Sequence, residues 1–121
     1  MPSYSSGPIE NNPVSGIRPT QQVTVKIVNQ DFANSSVVLI QGYVLNGSKS
    51  LYVKQLFSVG PNQTVTRTFT ANFNAFAFEI TTDGAAEYET LVSVWGKNAA
   101  GQLVTVHRLV SEELKLNNEI Q

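Results

Sequence analysis

The sequence predicts an all-β fold: a seven- or eight-stranded antiparallel β-sandwich, jelly-roll or immunoglobulin-like, with an extended N-terminal arm and a short C-terminal helical turn. Three observations carry this expectation. From Gln21 onward apolar and polar residues alternate with a period of two, the pattern of strands that bury one face. Turn-forming pairs and triplets recur at short intervals, as in a sandwich. No proline falls inside any alternating segment, where it would delete a ladder hydrogen bond.

Residues 1–20 form the expected arm, and residues 21–121 the sandwich domain. Four of the five prolines lie in the arm (Pro2, Pro8, Pro13 and Pro19), among Gly7, Gly16 and several serines. Fixed φ and missing donors keep such a stretch out of helices and central strands. Its spaced apolar groups, Tyr4, Ile9, Val14 and Ile17, are the expected anchors of an assembly arm that docks on a neighbouring copy.

The first strand, Gln21–Asn29, alternates Val23, Val25 and Ile27 against Thr24, Lys26 and Val28. Ser35–Leu45 is dense in β-branched and aromatic residues, and Asn46-Gly47 then signals a type I′ hairpin turn. Ser50–Val59 places Leu51, Val53, Phe57 and Val59 on one parity, followed by a turn at Gly60-Pro61-Asn62. Thr64–Phe73 sets Val65, Phe69, Ala71 and Phe73 against a run of threonines, with Arg67 as the one charge on the apolar parity. Ala75–Thr82 carries Phe76, Phe78 and Ile80. Asp83-Gly84 turns the chain into Tyr88–Lys97, and Asn98–Gly101 turns it into Gln102–Val110. All four turns are expected to be hairpins. The expected core comprises Val25, Ile27, Leu39, Val53, Phe57, Phe69, Phe78, Val92, Val94 and Val104. Ser111-Glu112-Glu113-Leu114 reads as a helix start, a serine cap followed by acids facing the macrodipole.

Composition bounds the function. The chain has 121 residues and a net charge of −1, with no basic block, so nothing marks a phosphate-tracking surface and no nucleic-acid partner is expected. Charged residues make up only 14%, against roughly 25% in ordinary soluble domains. Asn, Gln, Ser and Thr fill about a third of the chain, a surface that stays wet but repels its neighbours little. Cysteine is absent, which removes disulfides, thiolate metal sites and thiol nucleophiles together. The N-terminus lacks the charged start and apolar stretch of a signal peptide, and no run approaches the ~18 apolar residues of a membrane span. Synthesis without a signal peptide is therefore expected, with no membrane insertion.

No residue pattern points to catalysis, and no enzyme activity or cofactor is expected. His107 is the only histidine, and no G-x-S-x-G elbow accompanies it. One His without Cys makes a poor zinc set. Glu79, Glu87 and Glu89 flank the Asp83-Gly84 turn, and a hairpin there would bring Glu79 and Glu89 together as a carboxylate pair, although solvated hairpin charges are the simpler reading. A calcium site on Asp83 and Glu87 would need several more oxygens. The Asn34, Asn46 and Asn62 sequons fall in predicted turns, where Asn belongs for backbone reasons. Lys26 would be the donor of any intramolecular Lys–Asn staple.

Two strands are apolar on both parities: Val37-Val38-Leu39-Ile40 and Leu91-Val92-Ser93-Val94-Trp95. A sandwich strand buries one face and wets the other. The second face must be covered by the arm, the C-terminal segment or another subunit, and a homo-oligomer or filament is the partner expected. The alternative is a binding module that stacks a glycan or peptide on exposed aromatics, with Trp95, Tyr52 and Tyr88 as its contacts.

The stretch Ser93-Val94-Trp95-Gly96-Lys97-Asn98-Ala99-Ala100-Gly101-Gln102-Leu103-Val104, followed by His107-Arg108 and Glu113-Leu114, resembles a group of small uncharacterised β-sandwich proteins of spore-forming Bacillus-like bacteria. The plan of a small sandwich behind an arm is also similar to that of endospore appendage subunits. The arms of those subunits carry cross-linking cysteines; this chain has none. The resemblance implies a non-enzymatic structural subunit of a filament or spore-surface layer. Proteins laid on a spore from the surrounding mother cell need no signal peptide; a cytoplasmic module is the alternative.

Overall fold

The structure, a computed structural model, describes residues 2–110 and 115–116, with side chains from 2 to 104. Its strands are β1 (Ser3–Ser5), β2 (Ile9–Glu10), β3 (Gln22–Asn29), β4 (Ser36–Leu45), β5 (Lys49–Val59), β6 (Thr64–Thr70), β7 (Ala75–Asp83), β8 (Thr90–Lys97), β9 (Leu103–Val110) and β10 (Lys115–Leu116). They form two antiparallel sheets packed as a sandwich. The larger runs β10-β1-β7-β4-β5, with β2 also paired to β7; the smaller runs β6-β3-β8-β9. The connections from β3 to β4, β5 to β6, β6 to β7 and β7 to β8 all cross between the layers, the wrapping of a jelly roll.

Alternation delivers the core. Val23, Val25 and Ile27 of β3, Val92 and Val94 of β8, and Phe76, Phe78 and Ile80 of β7 are all buried between the sheets. Phe69 stacks on Phe78 at 5.7 Å between centroids, and Val53 and Phe57 pack against the same cluster. One expected core position, Leu39, turns to the outer face, and the expected single parity of β5 is broken. In β4 the buried residues are Val38 and Ile40, so Leu39 points outward; a run apolar on both parities gives no signal of which parity faces in. In β5 a bulge at Tyr52 sets Leu51 opposite Tyr43 but Val53 opposite Gly42, which breaks the parity and leaves Leu51 half-exposed.

Two of the expected hairpins form: Asn46-Gly47 joins β4 to β5, and Asn98–Gly101 joins β8 to β9. The other two are corners between layers. Gly60-Pro61-Asn62 sends the chain from β5 in the larger sheet to β6 in the smaller, and Asp83-Gly84 with a 3₁₀ turn at Glu87–Glu89 sends it from β7 to β8. A turn sequence reports a reversal of direction and not the layer in which the next strand lands. Gly84 has φ +92, which permits the sharp departure from β7.

The N-terminal segment belongs to the larger sheet of its own chain. Tyr4 is registered opposite Ile80 and Ile9 opposite Phe76, both on β7. Ser6 closes the gap between the two short strands, its amide donating to the Phe78 carbonyl at 2.9 Å and its Oγ accepting from the Phe78 amide at 3.0 Å. The expected helical turn at 111–114 lies outside the described residues; the two-residue β10 pairs with β1, Leu116 opposite Tyr4.

Candidate interaction surface

The expected arm anchors divide into two pairs. Ile9 is 8% exposed and part of the core, and Tyr4 packs against that core, where burial first and Tyr88 second push its hydroxyl pKa up. Both are used within the chain. Val14 and Ile17 are 66% and 64% exposed. They face each other across a two-residue turn, joined by Val14 N–H to Ile17 O at 2.8 Å and Ile17 N–H to Val14 O at 3.1 Å. Ser15 and Gly16 occupy the turn with φ of 53° and 83°, as a type I′ reversal requires.

A buried asparagine fastens this tip to the sandwich. Asn11 is 1% exposed. Its Nδ2 donates to the carbonyls of Thr20 at 2.7 Å, Ala71 at 3.1 Å and Phe73 at 3.0 Å, and its Oδ1 accepts from the Thr20 amide at 2.9 Å. The loop is thereby closed at its neck and tied to the corner between β6 and β7. Arg18, on the outgoing limb, donates to Asn72 Oδ1 and Asn74 Oδ1. Its guanidinium pairs with no carboxylate among the described residues. Between this limb and the β4–β5 hairpin lies a cleft of about 200 Å³ with Val44, Leu45 and Phe73 in its wall.

The opposite end of the sandwich repeats the device. Asn29 is fully buried; its Nδ2 donates to the carbonyls of Asn34, Val59 and Gly60, and its Oδ1 accepts from the Asp31 amide. Asp31 Oδ1 accepts from the amides of Ala33 and Asn34, and its Oδ2 from Asn34 Nδ2. These bonds, Ala33 first and Asn34 second, hold the Asp31 carboxyl below the usual carboxylate range. On the loop so fixed, Phe32 stands 88% exposed. Sequence reasoning missed both buried asparagines and Phe32. Asn in a loop looks the same whether it is a turn residue or a buried staple, and one Phe in a polar loop has no period to report its side.

The outer face of the larger sheet carries an apolar stripe. Leu39 of β4 lies opposite Leu56 of β5, with Val37 two residues before Leu39, and Tyr43 lies opposite Leu51. Leu56 is 69% exposed. At one margin Lys49 sits over the Tyr43 ring at 4.2 Å and pairs with Glu79 at 2.8 Å. The outer face of the smaller sheet is polar along β6, where Thr64, Thr66, Thr68 and Thr70 are exposed; Thr24 lies between Thr68 and half-buried Trp95, and Leu91 and Leu103 add exposed apolar groups on the β8–β9 side. Arg67, on the inward parity of edge strand β6, stacks over Phe57 at 4.6 Å, an inward charge of the kind that discourages edge pairing.

The aromatic contacts expected of a binding module are scattered. Tyr52 is wedged edge-on against Phe73 and Phe78, and its hydroxyl donates to the Thr70 carbonyl at 2.6 Å; burial drives its pKa well above the ordinary tyrosine value. Tyr88 is exposed on the 3₁₀ turn and Trp95 lies on the outer face of the smaller sheet, so the three do not share a surface. Glu79 lies in the middle of β7, paired with Lys49, whereas Glu89 sits on the 3₁₀ turn that leads to the other layer, so the carboxylate pair considered from the sequence is not built. Among the described residues no three His, Cys, Asp or Glu lie together as a metal set, and no helix is long and apolar enough to cross a membrane. Lys26 is exposed on β3, away from the core, and the side chain of His107 on β9 lies outside those described.

No family model and no curated protein matches the chain. Among solved structures it is similar to the Anabaena sensory rhodopsin transducer, with a TM-score of 0.54 and 16% identity over 82% of this chain and 90% of that one. It is also similar to Thermotoga maritima 1070, with a TM-score of 0.53 and 6% identity over 96% of this chain and 91% of that one. Neither bears the name of a spore or appendage protein. At these identities the likeness establishes a shared β-sandwich fold.

Proposed function

We propose that this chain is a non-enzymatic structural subunit that self-assembles into a filament or surface layer, with its N-terminal segment supplying part of the contact. The observation that carries this reading is the Val14–Ile17 tip: two aliphatic side chains about two-thirds exposed, on a loop held shut by Asn11. The loop is already ordered within the chain, so docking it loses little further conformational freedom. The apolar stripe of β4 and β5 and the low charge content support the same reading. The N-terminal strands pair within their own chain, so the tip is offered to a neighbour as a side-chain contact.

The test is light scattering and electron microscopy of the wild type beside a Val14→Asp/Ile17→Asp variant. Full burial of each aliphatic is worth about 1.5–3 kcal/mol, so the variant should need at least a tenfold higher concentration to assemble while melting like the wild type. Assemblies unchanged in mass and onset would remove the N-terminal segment from the contact. A wild type that stays monomeric would remove the function itself.

A second reading, a module binding a glycan or peptide, is favoured by Trp95 lying beside Thr24 and the threonine row of β6 on one sheet face. It predicts ligand quenching of the fluorescence of Trp95, the only tryptophan, in a monomeric protein.

A further inference from the structure

The two ends of the sandwich differ in shape and in charge. The loops at one end are joined by Gln30 N–H to Glu89 O, Asn62 N–H to Asp31 O and Ala86 N–H to Ser35 O. Among the described residues these loops hold Asp31, Asp83 and Glu89 as acids, and no lysine or arginine. Phe32 projects from them, 88% exposed. The other end holds the cleft, with Arg18 on its wall, Lys97 where β8 leaves the sheet, and Lys49 beside the β4–β5 turn, against Glu10 as the one acid there among the described residues. Lys49 is held by Glu79; Arg18 bonds only to amide oxygens. Strands of eight to ten residues such as β3 and β4 separate the two ends by about 25–30 Å.

We infer that two copies of this chain meet end to end, the Phe32 loop of one seated in the Arg18 cleft of the next. This rests on the self-assembly reading and names the surfaces that carry it. An exposed phenylalanine on a fixed loop can enter a cleft of about 200 Å³, where Val44, Leu45 and Phe73 would meet its ring and Arg18, Asn46, Asn72 and Asn74 line the rest. The Arg18 guanidinium then faces the acids around Phe32, so the contact is complementary in charge as well as shape. The Val14–Ile17 tip lies beside the cleft, on the limb that ends at Arg18, and is covered by the same neighbour. Knob and cleft lie at opposite ends of one chain, so the contact is heterologous and leaves both ends of a pair open for further copies. The same charges make assembly weaken as salt rises.

The experiment uses two single variants of the full chain, each blocking one side. Phe32→Asp removes the knob and adds repulsion among the acids; Arg18→Glu turns the cleft away from them. Both positions lack core contacts, and thermal melts check that both variants fold. Sedimentation should show that each alone associates at least tenfold more weakly than the wild type: Phe32→Asp loses the burial of one aromatic side chain worth about 1.5–3 kcal/mol, and Arg18→Glu sets like charges against each other in the same contact. Mixed in equal amounts, they should form pairs and stop there, because the intact Phe32 of one meets the intact cleft of the other and no further contact is complete. If the wild type assembles but Phe32→Asp assembles equally well, or if the mixture gains nothing over either variant, the end-to-end contact is wrong and self-assembly stands on another surface. If the wild type is monomeric, both fall.

Discussion

Replacing Asn11 by alanine removes one side chain that satisfies four backbone groups. The amide donates to the carbonyls of Thr20, Ala71 and Phe73, and the carboxamide oxygen accepts the Thr20 amide, all at a position 1% exposed. A net hydrogen bond contributes about 0.5–1.5 kcal/mol, and a buried partner left unpaired costs about 1–3 kcal/mol. Two N–H groups serve three carbonyls, so the bonds are shared and the loss is smaller than four full bonds. About 3 kcal/mol is expected, which lowers Tm by roughly 10–15 °C for a domain of this size. Asn11→Asp should be worse at neutral pH, because it sets a buried carboxylate against three carbonyl oxygens. Its folded-state pKa is therefore raised, and this variant regains stability as pH falls, when the protonated acid can donate. Thermal unfolding followed by circular dichroism measures both. A fall of less than about 3 °C for Asn11→Ala, where roughly 4 °C accompanies each kcal/mol, would show that the clamp is not what fastens the N-terminal loop.

Two further predictions concern other parts of the frame. A Cβ on Gly96 would collide with Thr20 Oγ1 and lie 2.8 Å from Thr20 Cγ2, so Gly96→Ala should destabilise by about 1–3 kcal/mol in denaturant unfolding, and an unchanged midpoint would contradict the packing described. The Asp31 carboxyl should titrate below the ordinary value of about 3.9 in an NMR titration. Its depressed pKa means that its contribution to the Phe32 loop is full above that ordinary value and is lost as pH falls through the lower folded one; a midpoint at or above the ordinary value would refute the turn geometry.

Much of the layered architecture was legible in the residues. Val23-x-Val25-x-Ile27 and Phe76-x-Phe78-x-Ile80 report their buried faces because the intervening residues are polar or small, and the structure buries them as read. Leu39 was not legible, since Val37 to Ile40 is apolar on both parities and burial of Val38 and Ile40 is decided by β5 and β7 on either side. Leu51 was lost to a bulge, a non-local feature of the pairing with β4. The corners at Gly60 and Asp83 use the same turn chemistry as hairpins, and only packing selects the layer. Of the candidate interaction surface, Val14 and Ile17 were visible in the sequence only as spaced apolar residues in a proline-rich segment. Their presentation was not, because it depends on Asn11 finding carbonyls sixty residues away at Ala71 and Phe73.

Self-assembly is the proposal on which the end-to-end contact and the role of the Val14–Ile17 tip both depend. Sedimentation velocity of the wild-type protein from micromolar to millimolar concentration tests it most directly. A self-assembling chain should show a weight-average mass that climbs with concentration, falls back with added salt, and reaches species well above a pair without any ligand. A single boundary at 13.2 kDa across the whole range, indifferent to salt, would contradict it.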